Sequence, residues 1–318
     1  MAPCSPAFVY ITNDVRCRRG KETVTLDRVV LAESKQNRAR LLELLRGASI
    51  EVTARSDDQI GVVKEFYRPG TDVHVTALPN DPRQLTIAMA RHLTEAGFNP
   101  VPHLTARGFE SLAALEEFLA RANDAGVRRM LVIAGDLPKP AGPFPDAISV
   151  LRTDLLQHHG IRAIAVAGHP EGHPAANALI MEKALRDKVA YARANGLKVD
   201  IITQFLFEAE PVVAYLQRLE ALAIESPLRV GITGPAKLTT LIKYAMHCGV
   251  GNSLKALRKQ AGNISRLTQD APPDELLADI VRETNGTVAG FHFYVFGGLR
   301  KTGQWLNAAM ESLAADTR

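Results

Sequence analysis

A (β/α)8 barrel of the α/β class is the fold that this 318-residue sequence predicts. Eight short runs rich in β-branched and other apolar residues recur along the chain, as is typical of strands covered on both faces. Amphipathic helical patterns separate them, at about the spacing that a crossover between parallel strands requires. Eight strand–helix units fit a TIM barrel better than an open doubly wound sheet, which remains the alternative if the runs are overcounted.

The chain divides at residue 35 in this interpretation. Residues 1–35 mix one β-like run, 8–12, with scattered basic side chains, and we interpret them as an N-terminal extension. Residues 36–318 are expected to form a single catalytic barrel domain. The predicted strands are 48–53, 72–78, 99–105, 128–134, 162–168, 199–205, 228–233 and 289–295.

Helices are predicted between these strands. Leu85, Met89 and Leu93 recur at three-to-four spacing, and similar patterns run through 148–155 and 212–222. The glycine-rich and proline-containing stretch 248–275 predicts an extra helix and loop before the last strand. Glycines that end helices just before the next strand are Gly47, Gly97, Gly126, Gly160 and Gly196.

The composition indicates a protein with a sizeable core and a small-molecule partner. Hydrophobic residues make up 46% of the chain and charged residues 23%. No apolar run approaches the roughly 18 residues of a membrane span, and no signal peptide is predicted. The net charge of +4 is too small to indicate nucleic acid but suits a small anionic ligand. Three cysteines without CxxC spacing predict neither disulfides nor a cysteine–zinc site, and favour a cytoplasmic location.

Polar residues at the strand ends are the main functional indication. The carboxyl ends of TIM-barrel strands carry the chemistry of such enzymes. Any one of these residues could be an ordinary loop residue, but a purely structural barrel does not require all eight. They are Glu51, Thr76, His103, Asp136, His169, Gln204, Thr233 and Tyr294.

Three of these residues suggest specific chemistry. In an apolar pocket the pKa of Glu51 would rise, which favours a general acid near neutral pH. Asp136, on a glycine turn, can accept hydrogen bonds from a heterocycle, or alternatively cap the following turn. Gln204 ends the most apolar strand, where the edge of a heterocycle or a neighbouring loop would satisfy its amide.

Several common site motifs are absent from the sequence. No GxGxxG follows a strand, and neither GxxxxGK[ST] nor GxSxG occurs. The segment His169-Pro-Glu-Gly-His173 resembles a metal motif. Its proline and glycine prevent the continuous helix that would bring both imidazoles to one face, so no metal site is predicted.

Five segments together resemble the methylenetetrahydrofolate reductase family, TIM-barrel flavoproteins that reduce 5,10-methylenetetrahydrofolate to 5-methyltetrahydrofolate. The resemblance covers roughly residues 45–300 and includes the order and spacing of the segments, so the chain is identified as a divergent member. The segments are Pro102-His-Leu-Thr105, Gly135-Asp-Leu-Pro138, Ala167-Gly-His-Pro-Glu-Gly-His-Pro174, Thr203-Gln-Phe-Leu-Phe-Glu208 and His292-Phe-Tyr294.

The resemblance implies roles for individual residues. Glu51 resembles the general acid that opens the folate imidazolidine ring, and Asp136 resembles the second catalytic residue, which contacts the pterin. Gln204 resembles the glutamine at the pterin edge. Tyr244 falls at the position of a stacking phenylalanine, and Thr240 is assigned to the same substrate site. Positions that resemble cofactor contacts are Thr76, His103, Gly135, Asp136, Ala167, His169, His173 and Lys188.

The implied mechanism is ping-pong: NAD(P)H reduces bound FAD and leaves, and the folate then receives the hydride. The choice between NADH and NADPH stays open, and a homo-oligomer is among the expectations, because family members associate. Ala134 and Asp187 stand where arginines are found in the family, and Phe296-Gly-Gly298 replaces its usual Leu-Asn. The alternatives are direct hydride transfer from NAD(P)H to the folate, a folate-binding one-carbon transferase or demethylase without redox chemistry, and a non-catalytic barrel.

Overall fold

A computed structural model describes residues 34–55, 58–77, 81–173, 176–247 and 270–315. Eight parallel strands close into a barrel, which confirms the predicted TIM barrel and excludes the open sheet. Each predicted run overlaps one barrel strand, and the ends agree within two residues. The barrel strands are β1 Ser49–Thr53, β2 Asp72–Thr76, β3 Asn99–Thr105, β4 Arg129–Ile133, β5 Ala163–Gly168, β6 Lys198–Leu206, β7 Leu228–Thr233 and β10 Gly290–Tyr294. Their order around the barrel is β1-β10-β7-β6-β5-β4-β3-β2.

Helices cover the outside of this barrel, and in the described part of the chain none of them is long and apolar enough to cross a membrane. A short antiparallel pair, β8 Ala236–Lys237 and β9 Asp270–Ala271, lies outside the barrel sheet. The helices are α1 Lys35–Arg46, α2 Asp58–Phe66, α3 Arg83–Glu95, α4 Leu112–Asp124, α5 Ala147–Leu151, α6 Leu155–His158, α7 Ala178–Ala194, α8 Glu210–Ala221, α9 Leu238–His247, α10 Asp274–Glu283 and α11 Leu299–Ala315, with a 3-10 turn at Ala106–Gly108.

Two sequence predictions fall largely on residues outside the described ranges. The N-terminal extension is one, because description begins at Ser34, and the domain division at residue 35 therefore stays a prediction. The extra helix and loop expected within 248–275 is the other, since 248–269 lie outside the described residues. The short described part of that stretch holds β9 and the first turn of α10.

Local sequence explains where the helices begin and end. The side chains of Ser34, Ser111 and Asn177 each accept a hydrogen bond from a first-turn backbone N–H and so cap α1, α4 and α7. Four of the five glycines predicted to end helices have φ between +70° and +83°, the left-handed region that favours glycine. Gly47 is the exception, with φ −93°.

Alternation along the strands separates an outer core from the barrel interior. On β1, Ile50 and Val52 are fully buried in the main core, which includes the covering helices. Ser49 and Glu51 occupy the alternate positions and therefore face the interior. The sheet thus carries apolar side chains outward and polar ones inward on this side of the barrel.

Charged side chains close the amino-terminal end of the interior. Arg129 Nη1 lies 3.2 Å from Asp72 Oδ2, and Arg129 Nη2 lies 2.5 Å from Asp200 Oδ2. Asp200 Oδ2 also accepts a hydrogen bond from Arg229 Nε at 3.0 Å. Because all four residues stand near the starts of their strands, this network leaves the carboxyl end of the barrel for a site.

Candidate active site

A histidine from the last barrel strand holds the carboxylate of Glu51. Glu51 is the third residue of β1, faces the interior and is 16% exposed. His292 Nε2 lies 3.2 Å from Glu51 Oε1, and His292 Nδ1 lies 2.9 Å from Ser49 Oγ. Ser49 and His292 are in register where β1 and β10 close the barrel. Closure therefore assembles a continuous polar chain of serine, imidazole and carboxylate.

The prediction that the pKa of Glu51 is raised is wrong. Burial does push this pKa upward, but the hydrogen bond with His292 and the electrostatic attraction of His292 and His103 outweigh it and lower the pKa. His103 Nε2 lies 3.8 Å from Glu51 Oε1. The prediction failed because the surroundings of the carboxylate contain imidazoles from β3 and β10 and are not apolar.

Three imidazoles pack edge to face beneath the carboxylate. His74 lies 5.6 Å from His103 and 4.5 Å from His292 between ring centroids, and all three side chains are buried. Burial lowers the pKa of His103 to about 4 and that of His74 well below its usual value, so both are neutral near pH 7. His74 Nδ1 and His103 Nε2 have no hydrogen-bond partner among the described residues. His74 was not predicted as a site residue, although it precedes Thr76 by two positions and so shares its face.

A β-bulge positions Gln204. The register between β6 and β7 shifts between Ile202 and Phe205, and bulges of this kind commonly re-aim a side chain at an active site. Thr203 fixes the bulge: its Oγ1 accepts from the Gly231 N–H at 2.8 Å, and its carbonyl accepts from the Tyr294 hydroxyl at 3.0 Å. The buried Nε2 of Gln204 has no partner among the described residues, so its donor is free for a ligand.

Asp136 lies exposed on the loop that follows β4. Gly135 has φ +85°, and a Cβ there would come within 2.9 Å of Thr105 Cβ, so glycine is required. Arg107 ties the loop down, because its Nε and Nη1 donate to the carbonyl oxygens of Pro145 and Leu137 at 2.8 and 3.1 Å. Sequence reasoning missed Arg107, which was not distinguishable from an ordinary surface arginine.

The predicted cofactor residues surround the ends of β2 to β5. Thr76 ends β2, Ala167 is the penultimate residue of β5, and His169 and His173 follow β5 with ring centroids 5.1 Å apart. Burial, with the nearby charges of His173 and Lys188, lowers the pKa of His169 to about 3. Burial also lowers the pKa of Lys188 on α7 to about 8, against the opposing attraction of Asp146. Lys188 is therefore mainly cationic at neutral pH, and His169 is neutral.

These charges do not fit the diphosphate of FAD. A bound diphosphate requires cationic hydrogen-bond donors. Ala134 offers only a methyl group, and the Asp187 carboxylate lies 2.5 Å from Lys183 Nζ, which it neutralises. Among the predicted flavin contacts, Lys188 is mainly cationic at neutral pH, and the Asp146 carboxylate offsets part of its charge. Within the described part of the chain, the predicted flavin-contact positions thus supply too little positive charge to hold FAD by its diphosphate.

An aromatic wall lines the side of the barrel mouth formed by β6, β7 and β10. Tyr244 on α9 is 38% exposed, and its ring stacks on Phe296 at 3.9 Å with an interplanar angle of 6°. Thr240, assigned to the same substrate site, lies one turn earlier on α9 and is half-buried. We define the aromatic wall as Phe205, Phe207, Tyr244, Tyr294 and Phe296.

A cavity of about 630 Å³ adjoins the wall at the ends of β6 and β7. Phe207, Thr233 and Leu241 form part of its lining, and the carboxylates of Glu208 and Asp279 give it an acidic side. The lining does not include Glu51 or Gln204. The described residues contain no His, Cys, Asp and Glu cluster that could hold a metal ion.

The structure brings most of the predicted site residues to one end of one barrel. Glu51, Thr76, His103, Ala167 and Gln204 lie on its strands. Asp136, His169 and His173 follow strands in loops, whereas Lys188, Thr240 and Tyr244 come from helices. These residues are therefore related by their positions in the fold, and their individual roles stay predictions.

Comparison with known proteins gives a family match. Residues 63–302 match the family model for methylenetetrahydrofolate reductase. A 5,10-methylenetetrahydrofolate reductase from Pectobacterium carotovorum subsp. carotovorum is 31% identical over 150 residues, 47% of this chain and 48% of that protein. A probable methylenetetrahydrofolate reductase (NADPH) from Caenorhabditis elegans is 28% identical over 148 residues, 45% of this chain and 21% of that protein. The matched part is thus about half or less of either relative.

Two solved structures align with this chain at low sequence identity. A putative phosphonomutase from Burkholderia cenocepacia J2315 superposes with a TM-score of 0.47 and 14% identity, covering 88% of this chain and 97% of that one. Dihydropteroate synthase from Thermus thermophilus gives a TM-score of 0.45 and 15% identity, with 82% and 91% coverage.

Proposed function

Because the chain belongs to the methylenetetrahydrofolate reductase family, we propose that it reduces 5,10-methylenetetrahydrofolate to 5-methyltetrahydrofolate with a hydride from NAD(P)H. The observation that carries this proposal is the Glu51–His292 pair, held at 3.2 Å inside the mouth of the barrel. It provides a shielded proton at the end of the barrel where Gln204 offers an unpartnered amide. These are the two functions that this substrate requires, a proton source and a polar edge for the pterin.

The polar groups at the mouth complement a pterin. The Gln204 Nε2–H groups can donate to a ring nitrogen or carbonyl, and the exposed Asp136 carboxylate can accept from the ring N–H groups. The aromatic wall offers faces on which the planar parts of the folate can stack. Arg107 keeps the Asp136 loop in place through the carbonyls of Leu137 and Pro145.

Glu51 serves as the proton donor. The imidazolidine ring opens when a proton reaches one of its two nitrogens, and the methylene group then forms an iminium with the other. Hydride addition to this carbon produces the N-methyl product. In the absence of substrate the lowered pKa of Glu51 leaves this side chain mainly as the carboxylate. A bound pterin that excludes water favours neutral Glu51, and Ser49 and His292 form a path for its reprotonation.

The hydride passes directly from the reduced nicotinamide to the folate in our proposal. The family resemblance implies a route through FAD, but the charges around Ala134, Asp187 and Lys188 do not fit the FAD diphosphate. The barrel's role is then to hold the nicotinamide against the methylene carbon while Glu51 supplies the proton. NADH and NADPH are both candidates.

The test is an absorption spectrum followed by a hydride-transfer assay. We expect no flavin band in the purified protein, and NAD(P)H oxidation that depends on methylenetetrahydrofolate. Glu51→Gln should lower kcat by at least about 100-fold, since a positioned acid contributes that much. Glu65→Gln, in an exposed ion pair with Arg300, is the matched control.

Other outcomes identify the alternatives. A yellow protein whose flavin is reduced by NAD(P)H would contradict direct transfer but keep the reaction. Folate binding or methyl transfer without any NAD(P)H consumption would contradict the reductase and favour the non-redox folate enzyme. Full activity of Glu51→Gln would show that Glu51 is not the proton donor.

A further inference from the structure

We propose that the barrel interior contains a proton inlet, bounded by Asp72, His74, His103 and Arg129, in which water beside His74 supplies protons to Glu51. This inference rests on the proposed function, since it concerns the proton that the reaction consumes. Reduction by NAD(P)H takes up one proton for each hydride: the hydride adds to the methylene carbon, and the proton passes from Glu51 to the released folate nitrogen. Glu51 is left as a carboxylate, so every turnover requires one new proton at this side chain.

The proton has to arrive while the folate is bound. In the free protein the lowered pKa of Glu51 leaves this side chain mainly as the carboxylate. A folate bound at the mouth of the barrel then covers the approach to Glu51 from that side. Delivery through the interior, from the amino-terminal end of the barrel, avoids the bound substrate.

Strand β2 carries polar side chains through the depth of the barrel. Asp72, His74 and Thr76 occupy alternate positions, and they face the interior because the two valines between them are fully buried in the main core. Their backbone span is about 13 Å, at roughly 3.3 Å per residue. The interiors of TIM barrels are mostly filled by bulky branched apolar side chains, so a polar column of this length is unusual. It leads from the amino-terminal network to the level of Glu51, which pairs in register with His74.

Three buried polar atoms along this column have no hydrogen-bond partner among the described residues. They are His74 Nδ1, His103 Nε2 and Arg129 Nε. Buried polar atoms in folded proteins are nearly always satisfied, by internal water where no protein group reaches them. The rings of His74 and His103 are 5.6 Å apart between centroids, and Arg129 is close enough to help lower the pKa of His74. The three atoms therefore offer partners for a short file of water.

Both ends of the inlet are suited to moving a proton. At the amino-terminal end, the side chains of Arg129, Asp72 and Asp200 are 17–23% exposed, so their network meets solvent. At the upper end, His103 Nε2 lies 3.8 Å from Glu51 Oε1. A neutral imidazole has one donor and one acceptor nitrogen, so it can receive a proton at one nitrogen and release a proton from the other.

The inlet also reaches the Glu51–His292 pair. The ring of His74 lies 4.5 Å from that of His292, which contacts Ser49 through one nitrogen and Glu51 through the other. Ser49 precedes Glu51 by two residues on β1 and so lies nearer to the amino-terminal end. Ser49 and His292 therefore form the last part of a route that begins beside His74.

The experiment compares His74→Phe, which keeps a ring against His103 and His292 but has no nitrogen, with His74→Gln, which keeps a donor and an acceptor. For His74→Phe we expect kcat to fall about tenfold or more, because proton delivery becomes rate-limiting. The solvent deuterium isotope effect on kcat should rise above the wild-type value, while both KM values stay within about threefold. His74→Gln should resemble the wild type. His159→Phe, at a half-buried histidine outside the barrel, is the matched control and should also resemble the wild type.

Asp72→Asn tests the amino-terminal end of the inlet. The asparagine keeps an oxygen for the bonds from Arg129 and Asn99 but lacks the charge that attracts protons. We expect a raised solvent isotope effect and an unchanged KM for the folate, since Asp72 lies at the end of the barrel opposite to the mouth. An unchanged isotope effect in either His74→Phe or Asp72→Asn would overturn the inlet. A raised KM for the folate without an isotope effect would show that His74 only supports the shape of the site, and would overturn it too.

A second measurement does not depend on turnover. Nuclear Overhauser effects between water and the ring protons of His74 and His103 should be present in the wild-type protein, and those at His103 should weaken in His74→Phe. Their absence from the wild type would overturn the inference. If the wild type shows them but has no reductase activity, the proposed function fails and the water site stands. If His74→Phe does not fold, His74→Met repeats both measurements.

Discussion

Two opposing effects act on the carboxylate of Glu51. Burial disfavours the charged form, and the contacts with His292 and His103 favour it. The effect of the contacts is the larger one, so the pKa of Glu51 is lowered. Its value depends on one hydrogen bond of 3.2 Å between two strands that lie near opposite ends of the sequence. Removing that bond should reverse the direction of the shift.

His292→Asn should raise the pKa of Glu51, because burial would then act with less opposition. If Glu51 must be protonated to act, the pH limb on which kcat/KM falls with increasing pH should move to higher pH. Titration of carbon-13-labelled glutamate side chains, together with the pH profile, measures both. His159→Asn, at a half-buried histidine outside the barrel, should leave both unchanged. A pKa that falls in His292→Asn would contradict this account.

Gln204 combines a cost in stability with the contribution to folate binding that we propose for it. Its buried Nε2 has no partner among the described residues, a situation that costs about 1–3 kcal/mol. Gln204→Leu should therefore increase the free energy of unfolding by about 1 kcal/mol while weakening folate binding about tenfold. Urea unfolding and calorimetry test the two effects. Gln217→Leu, on the exposed side of α8, should leave folate binding unchanged, and tighter binding by Gln204→Leu would contradict the assignment.

At the level of elements, the loop after β4 depends on a residue from the previous strand connection. Arg107, in the 3-10 turn after β3, donates to the carbonyl of Leu137 near the start of that loop and to the carbonyl of Pro145 near its end. The two bonds from a charged donor are worth roughly 1.5–3 kcal/mol each before solvent exposure reduces them. The position of Asp136 is therefore coupled to Arg107.

Arg107→Met should raise the KM for the folate several-fold, because the loop that carries Asp136 loses its ties. The change in Tm should be small, since the loop contributes little to the core. Steady-state kinetics and thermal unfolding measure these quantities. Arg91→Met removes a comparable bond to the Asp124 carbonyl on the outer helices and should leave the KM unchanged. Equal kinetic effects in both variants would show that Arg107 has no specific role.

The strand pattern was predictable because parallel barrel strands are short, apolar and separated by amphipathic helices. All eight were found, and with them the side of the barrel on which Glu51, Gln204 and Asp136 lie. The contacts between strands were not predictable. The Glu51–His292 pair depends on closure of β1 against β10, and the bulge at Gln204 depends on the register of β6 with β7. These are long-range pairings with no local sequence pattern, which is why the pKa of Glu51 was predicted with the wrong sign.

At the scale of the whole molecule, the buried histidines link stability to pH. The pKa of His103 is lowered to about 4 and that of His74 well below 6.5, mainly by burial. In the unfolded chain both imidazoles regain a pKa near 6.5. Between these values the unfolded state binds more protons than the folded state, so stability decreases as the pH falls below about 6.5. The lowered pKa of Glu51 adds a further loss as the pH falls below its usual range of about 4.5.

The free energy of unfolding should therefore fall with a slope of about 1.4 kcal/mol per pH unit for each of the two histidines between about pH 6 and pH 5. Urea denaturation at a series of pH values measures this slope. His103→Gln should reduce the slope by the contribution of one proton, about 1.4 kcal/mol per pH unit. His158→Gln, at an exposed position, should not change the slope. A stability that does not change over this interval would contradict neutral burial of the cluster.

Closure of the barrel between its first and last strands also has a consequence during synthesis. Glu51 emerges from the ribosome long before His292 is translated. The nascent chain therefore carries the carboxylate without its imidazole partner for most of its elongation. The Glu51–His292 pair, our proposed proton donor, can be assembled only after β10 has docked beside β1. Under the proposed function, activity would then show that translation has passed the final barrel strand and that the ring of strands is complete.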